Sequence, residues 1–247
     1  MSKPPAIVFL FDVDNTLIDN DRVQAHLSEH LEQTYGAATR DRYWEIFEQL
    51  RSELGYADYL GALERYRTED LHRPEVLRMS SWLVDYSFVD RLYPGALDAI
   101  KHVQQWGTPV ILSDGDAVFQ PRKVERSGLW KAFDNRVLIF IHKEEELDDV
   151  RRLYPADHYV LIDDKLRILT AVKKLWGERV TTVFPKQGHY ALDPKAVAEY
   201  SAADIERWAA IIRERTGSCR DVFVYFQHEE EGKGPEFARM LTQHLQR

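Results

Sequence analysis

The sequence predicts an α/β fold: a mostly parallel sheet covered by helices on both faces, with a helical segment inserted after the first strand. Three observations predict it. Ile7 to Phe11 is an unbroken apolar run that stops at Asp12-Val13-Asp14, as a strand buried on both faces must stop before a carboxylate. From residue 92 onward, short apolar runs alternate with stretches of helical spacing, which is the rhythm of parallel strands joined by helical crossovers. Residues 20–92 carry apolar side chains at helical spacing and no buried strand pattern.

The elements follow in order. After the strand at 7–11, Val23, Leu27 and Leu31 recur on one helical face. Tyr43, Phe47 and Leu50 mark a second face, and Tyr56, Tyr59, Leu60 and Leu63 a third. Tyr93-Pro94-Gly95 marks the return to the core. Ala96 to Trp106 reads as a helix stopped by Gly107. Thr108 to Leu112 reads as a strand ending at Ser113-Asp114-Gly115-Asp116, and Val118 to Ser127 as a helix. Arg136 to Ile141 is the next apolar run, Glu144 to Leu153 a helix, and His158 to Ile162 a strand running into Asp163-Asp164. Lys165 to Trp176, closed by Gly177, is a helix, and Val180 to Phe184 the last core strand. Beyond it, Ile205, Trp208, Ala209 and Ile212 share a helical face that Gly217 ends. Asp221 to Phe226 reads as a strand and Glu236 to Leu245 as a helix. The expected division is a core of 1–19 and 93–198, a helical insertion of 20–92, and a C-terminal α-β-α extension of 199–247.

Bulk properties narrow the function. A chain of 247 residues, 44% hydrophobic and 30% charged, is long enough to bury a large core. The net charge of −8 argues against non-specific nucleic-acid binding. The single cysteine, Cys219, excludes an internal disulfide and a cysteine metal cluster. No run has the length of a membrane span, and the first strand follows Met1 too soon for a signal peptide. A cytoplasmic enzyme is the expectation, with no nucleic-acid or membrane partner.

The chemistry gathers at strand ends. In sheets of this type, ligands bind outside the carboxyl ends of the strands. Asp12, Ser113 and Asp163 each stand at such an end. Asp12 and Asp14 project the same way from an extended backbone and repel each other unless a cation or a shared proton lies between them. That pattern points to a Mg²⁺ site with a nucleophile and an acid/base partner. His26 and His30 have metal-ligand spacing on a helix, but no third ligand accompanies them. His189 follows the last core strand, and Glu229-Glu230-Glu231 reads as a solvated loop.

Four short motifs in this order resemble the haloacid dehalogenase superfamily, in its phosphatase branch. They are Asp12-Val13-Asp14-Asn15-Thr16; Val110-Ile111-Leu112-Ser113; a lysine, Lys143 with Lys123 as its rival; and Leu161-Ile162-Asp163-Asp164. The resemblance covers residues 6–190, and the insertion looks like that family's α-helical cap. It implies a Rossmann-like core and Mg²⁺-dependent hydrolysis of a small phosphate monoester. Asp12 would be the nucleophile that forms an aspartyl-phosphate, and Asp14 the acid and base. Ser113 would donate to a phosphoryl oxygen and Lys143 would neutralise charge, while Asp114 and Gly115 would offer backbone N–H groups. Mg²⁺ would rest on Asp12, the Asp14 carbonyl, and Asp163 or Asp164. Thr16 would fix the loop by hydrogen bonding. Asp14 points away from dehalogenation, since dehalogenases of the family usually lack that second acid. Residues 199–247 look like the tail of the YecE-like TIM-barrel family, too short to bring a barrel's activity. That segment is read as packing on the core or on a second copy in a homo-oligomer. A small phosphorylated metabolite is the expected partner. Phosphotransfer and a non-catalytic protein that recruits a partner through its C-terminal segment are the alternatives. Phosphonate cleavage wants a lysine in the insertion, and residues 20–92 contain none.

Overall fold

The computed structural model describes residues 6–69, 76–192 and 233–245. The chain divides into two compact units, Met1–Leu192 and Asp193–Arg247.

The first unit is built on a five-stranded sheet. Its strands are β1 (Ile7–Phe11), β2 (Thr108–Asp114), β3 (Val137–Phe140), β4 (His158–Ile162) and β5 (Val180–Val183), in the order β3-β2-β1-β4-β5. Every pairing is parallel, with Leu10 beside Val110 on one flank and Leu161 on the other. Period-two alternation divides the strand residues between two cores. Val8, Leu10, Val110, Leu112, Tyr159 and Leu161 face a cluster completed by α8 (Leu147–Leu153) and α9 (Leu166–Trp176). Phe9, Phe11, Ile111 and Ile162 face the other, with α5 (Ala96–Val103), α6 (Phe119–Arg126) and α7 (Leu129–Ala132). The sheet is therefore covered on both sides, as the sequence predicts.

That second core runs without a break into the helices α1 (Asn20–Tyr35), α2 (Ala37–Leu54), α3 (Tyr59–Glu69) and α4 (Val76–Val84). Val23, Leu27 and Leu31 are fully buried, as are Tyr43, Phe47 and Tyr59. Tyr56 lies in the loop before α3 rather than on its buried face. The chain enters and leaves these helices through two adjacent strands of backbone. Asp19 N–H donates to the Arg91 carbonyl (2.8 Å) and Tyr93 N–H to the Leu17 carbonyl (2.9 Å).

Element ends differ from the periodicity where tertiary bonds intervene. The helix expected from Glu144 begins at Leu147, because residues 142–146 form a turn. Within it Glu145 N–H donates to the His142 carbonyl and Glu146 N–H to that of Lys143. The helix expected to reach Trp106 ends at Val103 in a turn onto Gly107. A short helix, α10 (Gly188–Ala191), follows β5. In the second unit the described element is α11 (Lys233–Leu245), which starts ahead of the expected Glu236. The expected helix around Trp208 and strand Asp221–Phe226 lie outside the described residues. Among the described residues, no helix is long and apolar enough to cross a membrane.

Candidate active site

Parallel pairing brings the ends of β1, β2 and β4 side by side, and with them the residues that follow. Asp12 N–H donates to the Ile162 carbonyl (2.9 Å) and Asp163 N–H to that of Val183 (3.2 Å). This continues the ladder one residue past each strand. Asp12, Asp163 and Asp164 are all buried, and each offers a carboxylate oxygen within 4.8 Å of the others. Burial pushes Asp163 and Asp164 above the usual carboxylate range, with Asp12 adding to it and Lys143 and Lys165 opposing it.

Lys143 closes this cluster. Its Nζ lies 2.5 Å from Asp12 Oδ1 and 2.6 Å from Asp163 Oδ2, and donates to the Leu112 carbonyl (3.2 Å). Burial pulls the ammonium down, but Asp12, Asp163 and Asp114 outweigh it and hold Lys143 charged. The turn at 142–146 is what aims it inward. Lys143 N–H donates to Asp114 Oδ1 (2.8 Å), so the carboxylate at the end of β2 anchors that turn. Burial raises the Asp114 pKa, against the pull of Lys143.

The rival lysine is also in the site, on a different carboxylate. Lys123 is fully buried and donates to Asp14 Oδ1 (2.6 Å) and to Asn20 Oδ1 (3.1 Å). Gln120, one helical turn earlier on α6, donates to Asp14 Oδ2 (3.3 Å) and to Ser113 Oγ (2.9 Å). Asn20 continues the chain of contacts by donating to Tyr59 Oη (3.2 Å), which also accepts from Gln24 (2.8 Å).

Two expectations change at this point. Gly115 N–H is committed to the Phe140 carbonyl (2.9 Å), so it is not a free donor. The glycine is needed for another reason: a Cβ there would fall 2.5 Å from the Gln120 side chain. The Thr16 hydroxyl is buried without a hydrogen-bond partner; the loop is held instead through its carbonyl, which accepts from Gln187 (2.8 Å). Ser113 Oγ accepts from Gln120, and its own hydrogen makes only a long 3.4 Å contact with the Asp114 carbonyl.

The helical segment meets the core loops around the site. α2 ends at Gly55, in left-handed conformation, where a Cβ would press on the ring of His142. Arg51 donates to Tyr190 Oη (2.8 Å), and Asp21 takes the N–H and Nδ1 of His189 (2.7 Å each). His26 pairs with Tyr86 Oη (2.7 Å) and His30 stacks on Trp82, so these two histidines serve packing.

A divalent cation fits the acidic cluster. Asp12 Oδ2 and Asp164 Oδ1 are buried with no hydrogen-bond partner, whereas Asp163 Oδ2 has Lys143 against it. Buried, unpaired carboxylate oxygens are costly unless something positive meets them. A hard cation with oxygen ligands meets them best.

Residues 8–175 match the family model of the haloacid dehalogenase-like hydrolases. A haloacid dehalogenase-like hydrolase from Burkholderia xenovorans is 61% identical, over 81% of this chain and 91% of its own, with a TM-score of 0.76. The chain belongs to the haloacid dehalogenase-like hydrolases. More distant relatives of this hydrolase share the fold. YfnB from Bacillus subtilis, solved with magnesium bound, is 20% identical over 74% of this chain and 87% of its own (TM-score 0.52). L-2-haloacid dehalogenase from Xanthobacter autotrophicus is 18% identical over 78% and 83% (TM-score 0.51). No curated protein matches the chain.

Three residues gathered here, Gln120, Asn20 and Lys165, are not singled out by the sequence, and Lys123 stands there only as the rival of Lys143. Gln120 and Asn20 look like ordinary helix residues. The signal for the pair on α6 was their spacing, three apart on one face and just after the Ser113 strand end. Lys165 is the third. Burial opposes its charge, but Asp12 leads the acids that raise it; directly after Asp163-Asp164, it reads from sequence as a helix start.

Proposed function

We propose that this hydrolase cleaves a small phosphate monoester with the help of Mg²⁺, through an aspartyl-phosphate on Asp12. The observation that carries the reading is the state of Asp12: one oxygen held by buried Lys143, the other buried and uncommitted. A carboxylate so held is fixed in place, as a nucleophile for phosphoryl transfer must be. Asp12, the Asp14 carbonyl and Asp164 would hold Mg²⁺, with Asp163 in support. The ion would supply charge neutralisation for phosphoryl oxygens.

In this reading an oxygen of Asp12 attacks phosphorus as the ester P–O bond breaks, and Asp14 gives a proton to the departing oxygen. Asp14 then takes a proton from water, whose oxygen attacks phosphorus and frees Asp12 with inorganic phosphate. Lys143 stabilises negative charge beside Asp12 throughout, and Ser113 turns its hydrogen from the long contact with the Asp114 carbonyl to a phosphoryl oxygen. The presence of Asp14, with a cation-ready acidic cluster, favours phosphate over halide as the leaving chemistry. Read as a cap over the site, the helical insertion favours a small substrate, since closure excludes water and long chains alike.

The test is phosphate release from a panel of monoesters by wild type and Asp12→Asn, with Mg²⁺ and with EDTA. Release that needs Mg²⁺ and vanishes in Asp12→Asn is expected. A folded wild type that frees phosphate from none of them rejects the reading.

A further inference from the structure

The resting site raises a question about Asp14. An acid/base carboxylate must present one oxygen to the reacting group, yet both of its oxygens accept hydrogen bonds. The two bonds are unequal. Lys123 holds Oδ1 at 2.6 Å with a full charge, while Gln120 reaches Oδ2 at 3.3 Å and is better bonded to Ser113, at 2.9 Å. A charge-assisted bond of normal length outlasts a long neutral one.

We propose that Lys123 is the positioning residue of Asp14: it anchors Oδ1 so that Oδ2 is the oxygen that exchanges protons with substrate and water. The inference rests on the phosphatase reading above. Gln120 releases Oδ2 when a substrate oxygen arrives and keeps its bond to Ser113.

Three further observations support a dedicated role. Lys123 is completely buried, which a lysine almost never is unless it is paired, and the carboxylate it pairs with is Asp14. Its ammonium also lies 5.2 Å from the Phe119 ring centre and 5.8 Å from that of Tyr59, which limits its swing. Its third contact, Asn20, begins α1 and bonds Tyr59 of α3. The orientation of Asp14 is thereby tied to the seating of the helical segment. The support for α6 is local: Asp116 Oδ1 accepts from Val118 N–H (2.7 Å) and Phe119 N–H (2.6 Å), fixing the start of the helix that carries Gln120 and Lys123.

A double-mutant cycle on p-nitrophenyl phosphate with Mg²⁺ tests this. Lys123→Met removes the charge at nearly constant volume, and Asp14→Asn removes the group it is said to position. Thermal unfolding confirms that each variant folds. Lys123→Met is expected to lower kcat about 30- to 100-fold, within the range that acid/base catalysis supplies, with KM changed by less than about threefold. In the Asp14→Asn background, followed under single turnover, Lys123→Met should cost less than about threefold, because its only route of action is gone. Equal losses in both backgrounds, or no loss in either, would overturn the inference. Should Lys123→Met fail to fold, Lys123→Gln, which keeps a polar partner for Asn20, takes its place in the same cycle. A folded wild type with no turnover rejects the phosphatase reading itself and the inference with it. Turnover with additive losses rejects the inference alone.

Discussion

Lys143 serves two buried carboxylates at once, Asp12 and Asp163. Three charged groups with almost no solvent access are stable only as a set, since each alone would carry a large desolvation cost. Removing the lysine strands two acids. Lys143→Met should therefore cost about 3–5 kcal/mol of folding free energy, the range for breaking a buried pair by deleting one partner. It should also lower turnover by at least about a hundredfold, through loss of charge beside the nucleophile. Urea unfolding at pH 8 without metal measures the first effect, and an unfolding free energy within about 1 kcal/mol of wild type would contradict it. The exposed ion pairs of the helical segment, such as Arg65 with Glu53 (2.8 Å), contribute little by comparison. Charge matters to this protein where water does not reach.

At the scale of elements, the short loop from Val13 to Asp19 links the site to the helices, and Asn15 is its keystone. It adopts a left-handed backbone (φ 56°), and its Oδ1 accepts from the N–H groups of Asn20 (3.0 Å) and Asp21 (3.2 Å), capping α1 together with Asp19. Asn15→Ala loses both cap bonds and strains the backbone, with an expected cost of about 2 kcal/mol. Asn15→Gly keeps the backbone free and loses only the cap, so it should cost roughly half as much. Equal unfolding free energies for the two variants would reject this division. The same loop shows what the sequence discloses and what it withholds. The strand was legible because five apolar residues cannot lie elsewhere than in a core. The site was legible because Asp12, Ser113 and Asp163 stop strands that the fold makes neighbours. Gln120, Lys123 and Asn20 were not legible as a group, because their meeting depends on α1 and α6, about a hundred residues apart in sequence, packing into the same core. The start of α8 is illegible in the sequence for a related reason. Acidic residues at 144–146 suit a helix start, but the bond from Lys143 N–H to Asp114 bends the chain before the helix begins.

At the scale of the whole molecule, the acidic cluster makes stability depend on both pH and metal. In the unfolded chain Asp163 and Asp164 titrate near the ordinary carboxylate value, about 3.9. In the folded chain without metal, burial first and then Asp12 lift them, to about 6 and about 8. The folded state thus holds more protons than the unfolded state across that interval, so stability must fall as pH rises through it. Their contribution is fully present below pH ~4 and is lost by the time pH passes the upper of the two folded values. A divalent cation reverses the sign of the problem, because it binds the deprotonated carboxylates and only in the folded chain. Metal-stripped protein should lose Tm between pH 5 and 8.5 (roughly the span of these pKa values). The increase in Tm on adding Mg²⁺ should grow over the same span, as protons cease to compete. Asp164→Asn should flatten the upper part of the metal-free profile, above pH ~6, and shrink the Mg²⁺ effect with it, since Asp164 contributes to both. Scanning calorimetry of both proteins at several pH values, with EDTA and with Mg²⁺, separates this from titration elsewhere in the chain. A Mg²⁺ effect equal at pH 5.5 and 8.5, or a wild-type slope that survives unchanged above pH ~6 in Asp164→Asn, would show that the cluster does not couple the fold to metal.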